Sequence, residues 1–129
     1  MRAARKEPST EAFHEWRKRS KDLWYHVTIL REAWEAPLKA YADEAHELSN
    51  RLGDDHDLAV LLEWTHGRAI AVGGSGGRAN LEGVAEERRA QLQREAFALG
   101  GLLYAERPKD FSARMRRLWG ATRPETVAT

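Results

Sequence analysis

The sequence predicts an all-α protein: an antiparallel helical bundle of four long helices plus a short C-terminal helix. Three observations predict it. Apolar and small residues recur at alternating spacings of three and four early in the chain, the period of one helix face. No segment alternates apolar and polar residues with a period of two, and β-branched residues are scarce. Helix-starting and helix-stopping residues punctuate the periodic segments, the pattern of an up-and-down bundle.

Residues 1–9 read as an N-terminal tail, and the bundle itself spans 10–120. Pro8-Ser9-Thr10 followed by Glu11 is a helix start, with a hydroxyl cap and an early acid. The stripe that follows is Phe13, Trp16, Ser20, Leu23, Val27, Leu30 and Trp34. Pro37 marks a break or the first turn of a second helix reaching about Leu52. Gly53 should end that helix with a left-handed cap, and Asp54 should begin a third helix closed by Gly67. "RAIAVGGSGGRA" reads as a flexible linker over about 70–79. Asn80 caps a fourth helix from about Leu81 to Glu106, whose Gly100-Gly101 pair either permits close packing or bends it. Pro108 and Asp110 open the short fifth helix, "FSARMRRLW", and residues 121–129 form a C-terminal tail.

At 129 residues the chain fits one domain that buries about 65–70% of its unfolded surface. The absence of cysteine excludes disulfides, thiolate zinc sites and thiol nucleophiles. No apolar run approaches a membrane span, and "MRAARKEPSTEAF" leads into no signal-type apolar stretch. A soluble, cytoplasmic protein is expected. Net charge is only +1, yet it is unevenly spread. Residues 1–31 hold eight Lys/Arg against four Asp/Glu, residues 32–66 two against nine, and residues 67–129 eleven against seven. A basic–acidic–basic chain that folds back can set its basic ends side by side, or neutralise them with its centre.

The first helix sharpens that choice. At about 100° per residue, His14, Arg17, Lys18, Lys21 and Tyr25 fall within about 100° of arc, while Glu15 and Asp22 fall off the band. Like charges one turn apart cost a few tenths of a kcal/mol per pair. A cationic face of this kind is either an ordinary solvated surface or a cradle for a polyanion. In a cradle, Arg supplies a forked donor set, Lys a mobile charge and Tyr a hydroxyl. Protonated His14 would add charge, so binding should weaken as pH rises above about 7.

"FHEWRKRSKDLWYHVTIL", then "LSNRLGDDHDLAVL", then "EAFALGGLLYAERPKDFSARMRRLW" resemble, in order, the C-terminal half of a CHAD domain. The resemblance covers about residues 12–120, and its most specific part is His-x-x-Arg-x-x-x-Lys-x-x-x-Tyr. Members of this conserved-histidine α-helical family have two similar bundles around a basic cavity and bind inorganic polyphosphate. The resemblance implies that His14 is the eponymous histidine, that Arg17 and Lys21 face phosphate, and that Tyr25 is the aromatic that follows them. Trp24 stands where an arginine is common. Arg114 and Arg117 fall in the closing basic block and are expected to close the groove from the last helix. One bundle instead of two implies a homodimer or pairing with a second CHAD-like bundle.

The function expected is therefore a polyphosphate-binding module, with no catalytic residue, cofactor or metal. A helical bundle that binds nucleic acid or an acidic protein is the alternative, and a metal-dependent phosphohydrolase built on His56-Asp57 a weaker one. For that pair the plainer account is that Asp54 and Asp57 are first-turn acids complementing a helix dipole. His46 and His66 read as surface residues, and Trp16, Trp34, Trp64 and Trp119 as core or interface anchors. Arg88, Arg89 and Arg94 either line the same groove or sit on an ordinary salt-bridged face.

Overall fold

The computed structural model describes residues 1–66 and 74–122. Five helices follow one another: α1 (Arg2–Lys6), α2 (Thr10–Leu30), α3 (Glu35–His66), α4 (Gly74–Leu103) and α5 (Pro108–Thr122), with a 3-10 turn at Arg31–Ala33. Among the described residues there is no strand. The all-α bundle expected from the sequence is the architecture found.

Helix α2 forms as its pattern requires. The Ser9 side chain accepts a hydrogen bond from the Ala12 amide at 3.0 Å, satisfying one of the orphan donors at the helix start. Phe13, Trp16, Ser20 and Val27 are buried on one face. Buried Ser20 donates its hydroxyl to the Arg17 carbonyl at 2.8 Å, so this polar group fits the stripe without an unmet partner. The stripe stops short of Trp34, which is 58% exposed. The chain has left the helix there, and Trp34 is extended at φ −160°.

The second and third helices expected from the sequence are one. Helix α3 passes through Gly53 and runs for 32 residues. A left-handed cap is a local signal, and here burial on both sides overrides it. Leu48, Leu52, Asp55 and Ala59 are all buried, and their spacing continues a single face across the glycine. That continuity outweighs the roughly 1 kcal/mol propensity cost of a mid-helix glycine. Asp54 and Asp57 therefore lie mid-helix, and the helix-start role expected of them does not apply.

Helix α4 begins at Gly74, so residues 74–79 of the expected linker are helical, and the preceding part lies outside the described residues. Ala79 and Gly83 flank a cleft with Leu62 and His66 at the end of α3. A Cβ on Gly83 would meet nothing within 4 Å, so packing does not require a glycine there. Gly100, toward the other end of α4, does sit at a close approach: a Cβ on it would meet Trp16 Cζ2 at 2.9 Å and Met1 Sδ at 2.6 Å. Gly100 thus permits close packing inside a continuous helix, whereas a Cβ on Gly101 would meet nothing within 4 Å. Residues 2–6, grouped with the tail in the sequence reading, form α1, whose Ala4 is fully buried.

Cross-helix contacts fix the directions. His14, Arg17 and Trp24 of α2 meet His56, Gly53 and His46 of α3, so the residue numbers run oppositely and the pair is antiparallel. Asp55 meets Arg89, Arg51 meets Glu95, and Tyr41 meets Leu103, which makes α3 and α4 antiparallel too. One apolar cluster joins Phe13, Trp16, Leu48, Leu52 and Ala96. A second joins Val27, Leu38, Ala42 and Met115, with Trp119 packed against it, and holds α5 to the far end of α2. The Tyr41 hydroxyl donates to the Leu103 carbonyl at 2.7 Å. Burial pushes its pKa up, which keeps it a donor.

Candidate functional site

The antiparallel pairing of α2 and α3 opens a polar groove of about 340 Å³. Arg17, Lys21, Trp24 and Tyr25 form the α2 wall, and His46, Ser49, Asn50, Gly53, Asp54 and Asp57 the α3 wall. The α2 residues follow from the helical repeat, because Arg17, Lys21 and Tyr25 recur every four positions beside the buried stripe. On α3, His46, Asn50, Gly53 and Asp57 recur at four, three and four. That is also one helix face, and it is the signal that could have revealed the second wall.

Arg17 is the most constrained member. A Cβ on Gly53 would lie 3.3 Å from its Nε and 3.7 Å from its Cζ, so the guanidinium rests on bare helix backbone. Its Nε is buried and has no hydrogen-bond partner. Arg19, Arg31, Arg51, Arg89, Arg107 and Arg114 each reach a carboxylate within 3.4 Å. Among the described residues neither Arg17 nor Lys21 makes an ion pair, although two carboxylates line the same groove. A cation held partly buried without its counter-charge is poised for an anion from outside.

Gly53→Ala offers a direct check on this contact. Removing a mid-helix glycine favours the helix by up to about 1 kcal/mol, and the atoms in the way belong to a long, adjustable side chain. The variant should melt higher than the parent, with Arg17 displaced by a few tenths of an ångström and anion affinity reduced severalfold. Thermal unfolding and calorimetry on one preparation would read both.

The groove's ends differ. At one end Trp24 stacks on His46, with ring centroids 4.3 Å apart and 23° between planes, and Tyr25 packs against Trp24 at 4.8 Å. Beyond Arg17, His14 faces His56 at 5.0 Å, and the Nδ1 atoms of both are buried and unpartnered. His56 thus joins His14, and His46 takes part in the site, neither of which the sequence reading assigned. Among the described residues no group of three or more His, Asp and Glu is placed to hold a metal ion.

Three expected site residues stand elsewhere. The Nζ of Lys18 lies 3.9 Å from Glu15, which also reaches Arg19 at 3.4 Å, and Lys18 does not line the groove. The helical wheel set Glu15 off the band, yet a flexible carboxylate one turn away spans that arc. The Arg114 guanidinium is held by both oxygens of Glu106 at 2.9 to 3.3 Å and lies over the Phe111 ring. The Nε of Arg117 donates to the Ala113 carbonyl at 3.4 Å. Neither lines the groove, because α5 packs against the 3-10 turn and the second apolar cluster. Arg89 turns to buried Asp55, and Arg88 opens into a separate cleft with Glu47, Arg51 and Glu95.

Fold and groove together define a class: an antiparallel helical module that presents unpaired cations between its two longest-contacting helices. The family model of the CHAD domain matches residues 1–66, and the chain belongs to that family. The match takes in α1, α2 and α3, and therefore both walls of the groove. No curated protein and no solved structure matches the chain.

Proposed function

We propose that the protein is a cytoplasmic, non-enzymatic module that binds inorganic polyphosphate in the α2–α3 groove. The observation that carries this reading is Arg17, whose buried Nε has no hydrogen-bond partner, beside Lys21 in a polar groove where neither makes an ion pair among the described residues. Family membership supports the same ligand class. Arg17 contributes a fork matched to phosphate oxygens and Lys21 a mobile ammonium. His46 lines the groove, and His14 and His56 stand together beyond Arg17.

Asp54 and Asp57 balance the two cations, so attraction arises from short-range donors and not from a broad positive field. That favours a slim ligand. A duplex laid across α2 and α3 would also meet exposed Asp43, whereas a single phosphate chain can follow the groove. Calorimetric competition between polyphosphate and duplex DNA at matched salt tests the assignment. Polyphosphate should win, and a preference for DNA would replace this function with nucleic-acid binding.

Pairing with a second copy is part of the same proposal. Ile29 and Leu102 are 70% and 77% exposed, large apolar side chains that a partner bundle would cover. Light scattering at tens of micromolar should give twice the chain mass, and a clean monomer would remove the pairing.

A further inference from the structure

The groove changes character along its length in a way that a uniform phosphate chain does not use. Its cationic middle runs at one end into an aromatic stack. Trp24 is braced on His46 and in turn supports Tyr25, a residue still 56% exposed. At the other end, beyond Arg17 where His14 faces His56, stands Asp57, and Asp54 lies level with Arg17 itself. Phosphates continuing past Arg17 would meet like charge, so an anionic chain lying on Arg17 and Lys21 is directed toward Tyr25.

Arg17 and Tyr25 are eight residues apart on one helix, which is about 12 Å along its axis. An extended nucleoside triphosphate spans such a length between its base and its last phosphate. Lys21 lies midway, one turn from each. A half-exposed aromatic ring, already held by its neighbours, costs little to order and offers a flat face to a base.

We infer that the groove takes nucleoside polyphosphates, with the phosphates on Arg17 and Lys21 and the base on Tyr25. The assignment rests on the anion-binding reading of the same groove and extends it to a ligand with an aromatic terminus. The ring of Tyr25, and not its hydroxyl, then provides the discrimination.

The test is the ratio of affinities for ATP and inorganic tripolyphosphate, measured by calorimetry on the full chain at matched salt with divalent ions chelated. The parent should favour ATP roughly tenfold. Tyr25→Leu should bring the ratio to about one, and Tyr25→Phe should keep it near ten. An exposed position makes loss of folding a poor explanation, and circular dichroism checks it. Tripolyphosphate binding with no ATP preference in the parent overturns the nucleotide assignment alone. A tenfold ratio that survives Tyr25→Leu overturns the stacking role. Failure of the parent to bind tripolyphosphate overturns the anion reading on which both depend.

Discussion

Replacing Arg89 with alanine should destabilise the fold by about 3 kcal/mol. Asp55 is 1% exposed in the middle of α3, and its carboxylate accepts from Arg89 Nε at 2.9 Å. Gln93 donates to both carboxylate oxygens at 3.2 and 3.3 Å. Two α4 side chains thus satisfy one buried acid, and this cluster ties α3 to α4 where the helix passes Gly53. Without the guanidinium, a buried charge keeps only a neutral amide. The cost comes from stranding that charge and not from the net worth of the pair. A second substitution separates the two: adding Asp55→Asn to Arg89→Ala should recover most of the loss, since an amide can still accept from Gln93. Urea unfolding of the three proteins reads this, and a double variant no more stable than Arg89→Ala would show that packing, not charge, sets the cost.

Removing Arg17 and Lys21 together should weaken polyphosphate binding by about 3 kcal/mol, roughly 100-fold. Each supplies a charge-assisted hydrogen bond worth about 1.5 kcal/mol or more, and neither has a protein partner to release. Salt dependence should change with it. Affinity for an anionic chain falls with about one power of salt for each phosphate neutralised, so the parent's slope should flatten by about two in Arg17→Ala/Lys21→Ala. Stability should change little, because neither side chain makes an ion pair among the described residues. Alanine at Arg114 and Arg117 should leave affinity unchanged, as neither reaches the groove.

The α2 half of the site was legible because one helix face is a matter of arithmetic: the stripe from Phe13 to Val27 and the flank holding Arg17, Lys21 and Tyr25 follow from 3.6 residues per turn. What the wheel could not supply was partners from outside that arithmetic. Glu15 bends back to Lys18, and Glu106 reaches Arg114 across the turn before α5. Glycine's local preference marks Gly53 as a terminus, and only the burial of Leu52 and Asp55 on either side of it carries the helix through. Asp55 looked like any acid of an acidic stretch. Only the arrival of Arg89 and Gln93 from another helix makes its burial tolerable, and no periodicity within α3 announces them.

The central claim is one of location, and amide chemical-shift mapping tests it most directly. Titrating short-chain polyphosphate into isotopically labelled protein should perturb Arg17, Lys21, Tyr25, Asn50 and Gly53 together, with one shared affinity. Shifts concentrated on α5 around Arg114 and Arg117, or spread over every exposed cation with no common saturation point, would contradict it.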